Sequence, residues 1–367
     1  MADPRVQRLA QLLTQYSAPV AEGHKVEIAG TTLAAPLLRE LYRETLRAGG
    51  LPFLRITLPD QNEIFYKMAS EAQLATVSPV DQLLMEEFDN RFVVLSDENT
   101  QGLSGVEPAR QAAAQKARQP LMETLMRRSA EGALDWNICQ YPTPAYAQDA
   151  GMSLSDYEDF VYGACLLDRD DPVAAWQEVR QRQQLLVDYL KDKREVHLVG
   201  PDTDLRFSIA GRAFISDYGT KNLPGGEIFS GPVEDSVEGT IHYTYPAFYH
   251  GQVVEDVRLR FERGRVVEYS ARTNEDFLRE MLDLDDGART LGECAFGTNE
   301  NIQRFTRNTL FDEKIGGTMH FALGAGYPDT GARNQSALHW DMVTDLRNGG
   351  DVRVDGQLFV KDGAFVI

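Results

Sequence analysis

Three consecutive stretches, Lys25-Val-Glu-Ile-Ala29, Leu33 to Ala48 and Pro52-Phe-Leu-Arg-Ile-Thr-Leu58, decide how the first half of the chain folds. The outer two have the length and apolar character of strands. The middle one has helical spacing, with Thr31 or Thr32 as its cap and Gly49-Gly50 as its stop. Strand, helix and strand in that order build a parallel sheet. The alternation continues on both sides. Val6, Leu9, Ala10, Leu13 and Tyr16 make an amphipathic opening helix, and Leu74 to Phe88 and Pro108 to Arg128 read as helices. Arg91-Phe-Val-Val-Leu-Ser96 and Trp136-Asn-Ile-Cys-Gln-Tyr141 read as strands. The expected fold class is α/β, opening with a Rossmann-like parallel-sheet domain over residues 1–190. It contains no GxGxxG and no GKS or GKT phosphate loop, so a nucleotide has nothing to hold it.

A helix opens at Asp171-Pro172 and runs through Trp176, Val179, Leu185, Leu186 and Leu190 into the charged Lys191-Asp-Lys-Arg-Glu195. Strands dominate beyond it: Val196-His-Leu-Val199, Leu205-Arg-Phe-Ser-Ile209 and Gly239-Thr-Ile-His-Tyr-Thr-Tyr245. Val253 to Phe261 and Val266 to Arg272 flank a hairpin turn at Glu262-Arg-Gly-Arg265, and Asn274 is expected to cap a helix to Leu284. Residues 191–367 therefore read as a mixed, strand-rich α+β domain.

With 43% hydrophobic and 25% charged residues over 367 positions, the chain can bury a sizeable core. Lys and Arg number 37 against 56 Asp and Glu, a net charge of −19. That balance argues against nucleic acid or an anionic membrane as partner. Cys139, Cys165 and Cys294 lie far apart with no CxxC pair, as reduced thiols do. There is no secretory pattern at the start and no run near the ~18 apolar residues of a membrane span, so the expected location is the cytoplasm.

Neither HExxH nor GxSxG occurs. The chemistry-bearing residues are acids and imidazoles in the glycine-rich second half. In Leu338-His339-Trp340-Asp341, period-2 geometry projects His339 and Asp341 from one face of a strand. Such a pair chelates a divalent metal, although a hydrogen-bonded His–carboxylate couple is the commoner occurrence. His320 sits in an apolar strand between glycine loops, where a core histidine is the plain alternative; Glu293 follows Gly292 in a small apolar strand, and Glu227 follows Pro224-Gly-Gly. Burying three carboxylates requires counter-charge, and few Lys or Arg are close in sequence. Two divalent cations and a bridging hydroxide balance Glu227, Glu293 and Asp341, with His320 and His339 neutral. Five N/O donors exceed one tetrahedral zinc and suit two metals, zinc, cobalt or manganese, about 3.5–4 Å apart.

These residues lie in strings that resemble the thermophilic aminopeptidase family of aminopeptidase T-like metallo-aminopeptidases. The strings are Asn222-Leu-Pro-Gly-Gly-Glu227-Ile-Phe, Pro232-Val-Glu-Asp-Ser-Val-Glu-Gly239, Gly292-Glu293, Asp312-Glu-Lys-Ile-Gly-Gly-Thr-Met-His320 and Ser336-Ala-Leu-His339-Trp-Asp341. The resemblance runs the whole chain. It implies a metal-dependent exopeptidase that removes N-terminal residues from peptides with a free N-terminus. It also implies a homodimer that shields each active site, metal ligands at Glu227, Glu293, His320, His339 and Asp341, and an active-site tyrosine at Tyr327. Phe214 stands where the family pattern has Trp, and the Tyr327–His339 stretch is short. In such an enzyme a metal-activated water attacks the peptide carbonyl and a general acid/base serves the leaving amine. Glu313 is the first candidate for that group, with Glu234 and Asp235 as others, and Tyr327 can donate to the oxyanion or simply pack under its Gly-Tyr-Pro turn. The alternative from another class is a non-catalytic two-domain protein that binds a small ligand and uses metals as a staple.

Overall fold

The computed structural model describes residues 3–249 and 251–367. They form two compact units, one ending at Ala175 and recovering Gly219–Pro224, the other comprising Trp176–Tyr218 and Gly225–Ile367.

The first unit is built on a five-stranded sheet ordered Leu51–Thr57, Lys25–Thr31, Asn90–Leu95, Asp135–Gln140 and Asn222–Leu223, parallel at every pairing. The α/β class expected from the opening stretches is what forms. Ala35–Arg47 is the first crossover helix, and Thr31 accepts a bond from the Leu33 amide at its entry. The stretch from Leu74 to Phe88, expected to be mostly helical, is so from Pro79 to Glu87, with a break ahead of it. Glu71–Leu74 is a single turn, and the next helix begins at Pro79 under a Ser78 cap. A proline without an amide hydrogen favours a helix start over a helix interior.

The second unit is strand-rich. An eight-stranded sheet contains the hairpin Arg258–Glu262 and Arg265–Ser270. The strand expected from Val253 to Phe261 is broken into Gln252–Val254 and Arg258–Glu262, with Asp256 between them at a positive φ of 58°. Asn274 takes the N-cap position of its helix, its carbonyl accepting from the Phe277 and Leu278 amides, but its side chain makes no capping bond. It too adopts a left-handed conformation, and its amide donates to Gln252 and to the Val253 carbonyl.

The sheet that matters for function has five antiparallel strands, ordered His339–Asp345, Thr318–Gly324, Leu291–Gly297, Glu227–Ser230 and Ile215–Asp217. One face is apolar: Ile228, Cys294, Phe296, Met319, Phe321, Leu323, Trp340 and Met342 all join the main core of this unit. Because side chains alternate, their neighbours Glu227, Glu293, His320, His339 and Asp341 are carried to the other face. Core packing thus fixes the register that gathers the polar residues. No helix among the described residues is long and apolar enough to cross a membrane.

Candidate metal centre

Antiparallel register brings the five residues together. His320 is opposite Ala295, and Ala322 is opposite both Glu293 and Asp341, so small side chains leave room beside the polar ones. Glu293 lies between the two rings: its Oε1 is 3.5 Å from His320 Nε2 and its Oε2 is 3.4 Å from His339 Nε2. His320 Nε2 is 3.4 Å from Glu227 Oε2, and His339 Nε2 is 3.7 Å from Asp341 Oδ2. Donor atoms of Glu227, Glu293 and His320 lie within 4.8 Å of one another, as do those of Glu293, His339 and Asp341. The two triads share Glu293. A third overlapping group, Glu313, His320 and Asp341, meets the same distance.

The rings are pre-aimed. Nδ1 of His320 lies 3.0 Å from the Glu313 carbonyl, and Nδ1 of His339 lies 2.8 Å from the Ala325 carbonyl. A carbonyl only accepts, so each Nδ1 carries the hydrogen, and a cation that displaces the proton from Nε2 would meet that nitrogen's lone pair. Gly292 makes the second contact possible: a Cβ there would be 2.3 Å from the Ala325 oxygen.

The donors fit a divalent cation. Oε2 of Glu227 and Oδ1 of Asp341 are buried and find no hydrogen-bond donor among the described residues. Lone pairs facing carboxylates, with orphaned oxygens between them, are stable only around positive charge. The titration behaviour has the same cause. Burial raises Glu227 to about 8, with the Glu313 and Asp217 carboxylates adding to the rise and Lys314 and His320 opposing it. Burial also raises Asp341. For Glu293 burial is outweighed by hydrogen bonds and charge from both histidines, which hold it at about 2. Burial likewise fails to lower His320 and His339, which the surrounding carboxylates raise to about 10. An all-N/O set without thiolate suits zinc, cobalt or manganese.

Few lysines or arginines lie near these carboxylates in sequence, and Lys314 is one that the fold brings to them. Its side chain is fully buried, with Nζ 3.2 Å from Glu227 Oε1, 3.7 Å from Asp217 Oδ2 and paired with the Glu313 carboxylate. In sequence, Asp-Glu-Lys looks like a solvated turn, and only its position just ahead of the His320 strand hints otherwise. Asp217 was missed as well. It pairs in register with Glu227 from the edge strand, a relation no sequence spacing reveals.

The remaining candidates separate clearly. Tyr327 belongs to the cluster: its hydroxyl is 3.5 Å from His339 Nε2, and its ring meets Phe229 and His339 edge-on. Burial and the nearby carboxylates push its phenol well above the usual range, so it remains a donor. Glu234 is drawn away by Arg212 at 2.6 Å and by the Arg333 amide, and Asp235 is exposed. Phe214 packs on Phe296 at the apolar core, not among the donors. Cys294 is buried in that core, and burial raises its thiol far above the ordinary value.

Residues 2–365 match the family described as thermophilic metalloprotease (M29). The chain belongs to this family. M29 membership makes it a hydrolase and sets aside the non-catalytic alternative. Among M29-type relatives, it is 28% identical to Aminopeptidase 2 of Geobacillus stearothermophilus, over 98% of this chain and 95% of that protein. The solved structure of AmpT from Thermus thermophilus superposes with a TM-score of 0.83 at 26% identity, covering 99% of each chain. A 2,5-dihydroxypyridine dioxygenase from Pseudomonas putida KT2440 shares the fold at a TM-score of 0.62 and 13% identity, covering 98% of this chain and 96% of that one. One fold therefore carries different chemistries, and the site has to be read from its own residues.

Proposed function

We propose that this M29 protein is an aminopeptidase holding two divalent metal ions, with the strand-rich residues 191–367 as its catalytic part. The observation that carries the reading is the pair of donor triads joined at Glu293. Glu227 and His320 hold one ion, His339 and Asp341 the other, and Glu293 lies between them; zinc, cobalt and manganese all suit the donors. Two such ions would supply Lewis-acid polarisation of the scissile carbonyl and a lowered pKa for the attacking water.

The chain's own groups do the rest. Glu313, grouped with His320 and Asp341, is placed to take a proton from the attacking water and return it to the leaving amine. The Tyr327 hydroxyl donates to the oxygen on which negative charge develops. Main-chain carbonyls at Glu313 and Ala325 keep both imidazoles turned inward.

Charge supports a free N-terminus as the substrate requirement. Asp217, Glu227 and Glu313 surround the ammonium of Lys314, while Glu293 and Asp341 lie against the histidines, so the five carboxylates and one ammonium leave a negative site that two divalent cations balance. The carboxylates that surround the ions give a substrate α-ammonium an oppositely charged wall to approach. A homodimer is part of the proposal, and the edge strand Leu51–Thr57 supports it by leaving Leu51, Phe53, Leu54 and Ile56 exposed, an apolar edge of the kind partner chains cover.

Metal analysis paired with hydrolysis of aminoacyl reporter amides tests the reading. Two ions per chain and turnover abolished by N-acetylation are expected. Full activity with a metal content near zero, or equal rates on blocked and free peptides, overturns it.

A further inference from the structure

Beside Glu313 and Asp341 lies a small cavity whose other walls are Pro246, Phe248, Phe305, Thr309, Val343 and the buried Asp312, with the exposed Arg307 over the Phe248 ring at 5.8 Å. Its free volume is about 20 Å³, room for one water-sized group. The walls are braced. Phe305 stacks on Tyr245 at 4.7 Å with the rings 5° apart, and Tyr245 is itself hydrogen-bonded to Asp345 and Arg347. The chain that follows Phe305 is anchored too, because the Thr306 amide and hydroxyl both donate to buried Asp312.

We propose that this cavity is the subsite for the first residue of the substrate, and that it selects a small, uncharged side chain. The inference rests on the aminopeptidase reading and deepens it. The carboxylate end favours the α-ammonium and disfavours the carboxylate of a peptide's C-terminal side, so the cavity serves the residue that is removed, not the one that follows it. The aromatic walls take an apolar group. Their bracing holds that group to about a methyl, which leaves no room for a leucyl, lysyl or arginyl side chain. One extra methylene against a wall that does not yield discriminates by roughly 10–200-fold.

The test uses the metal-loaded, full-length protein and two series of unblocked dipeptides, one varying the first residue (Ala, Leu, Lys) and one varying the second. Wild type is expected to favour alanyl over leucyl at the first position by at least tenfold in kcat/KM, with lysyl slower still. Phe305→Ala is expected to shrink the alanyl-to-leucyl ratio at least fivefold, with metal content and the second-position preference unchanged. Inhibition by free alanine and free leucine should move in parallel. Should Phe305→Ala not fold, Phe305→Leu serves, with the same direction required. A ratio that shifts less than fivefold in a folded, metal-replete variant overturns the subsite while leaving the aminopeptidase reading intact, and so does a shift confined to the second position. No wild-type turnover of any unblocked peptide removes both.

Discussion

The Nζ atom of Lys314 lies 3.2 Å from Oε1 of Glu227, and both side chains are buried. Because the ammonium takes one oxygen of the carboxylate, the other is left facing His320. Removing one partner of a buried ion pair leaves uncompensated charge, at a cost of about 3–5 kcal/mol. Lys314→Met should show a loss of that size in urea denaturation of metal-free protein. A loss below about 1 kcal/mol would mean that the lysine is not the counter-charge.

His339→Ala and Asp341→Asn should each remain folded and lose metal together with activity. Trp340→Phe, on the opposite face among the core residues, should keep its full metal content and lose about 1–2 kcal/mol of packing. Metal analysis and melting curves on the three variants decide the assignment; an Asp341→Asn protein at full occupancy sinks it.

Tyr327→Phe should lower kcat by about 10²–10³-fold, the range for loss of one oxyanion donor, with KM and melting temperature little changed. Steady-state kinetics on an alanyl amide checks this. A kcat within a factor of three of wild type would reduce Tyr327 to a packing residue.

Cys294→Ala should retain most activity, because the thiol lies in the apolar core while Glu293, one residue earlier, faces the donors. The expected loss is one of packing, about 1 kcal/mol. An inactive variant that is folded and keeps its metals would restore a thiol to the mechanism.

Asp285 ties down the approach to His339: its carboxylate accepts from the Gly287 and Ala337 amides and from the Ser336 hydroxyl. Burial would raise it, but those bonds outweigh burial and hold it below the ordinary aspartate range. A depressed value means stability that is present above the unfolded pKa, near 4, and lost as pH falls through the folded one. Asp285→Asn should therefore be about 1–2 kcal/mol less stable than wild type from pH 5 upward, the difference shrinking below pH 4. Denaturation at pH 7, 5 and 3 measures it, and a gap that widens on acidification contradicts the assignment.

Sequence reading succeeded where one physical rule governed a short stretch. Alternation in Leu338-His339-Trp340-Asp341 predicts a two-faced strand, and the structure puts Trp340 in the core and its neighbours beside Glu293. The parallel sheet was legible in four of its five strands, short runs separated by helical spacing, while the two-residue Asn222–Leu223 joins from far along the chain. Failures came where distant contacts decided. Lys314 looks solvated until Asp217 and Glu227 from two other strands join its neighbour Glu313 around it, and Asp217 meets Glu227 only through register. Asn274 has the chemistry of a cap, yet its amide is claimed by Gln252 and Val253, twenty-odd positions earlier.

The donors at Glu227, Glu293, His320, His339 and Asp341 come from four separate strands, and no two triad members from different strands are neighbours in the chain. An unfolded polypeptide offers a metal nothing better than the His339–Asp341 pair, so maturation has a fixed order: the sheet closes first and the ions enter afterwards. Until then the unfilled centre has to be survivable, and Lys314 is the permanent occupant that makes it so. Ions that bind only the closed sheet therefore stabilise it as they fill the site, on top of what Lys314 already provides.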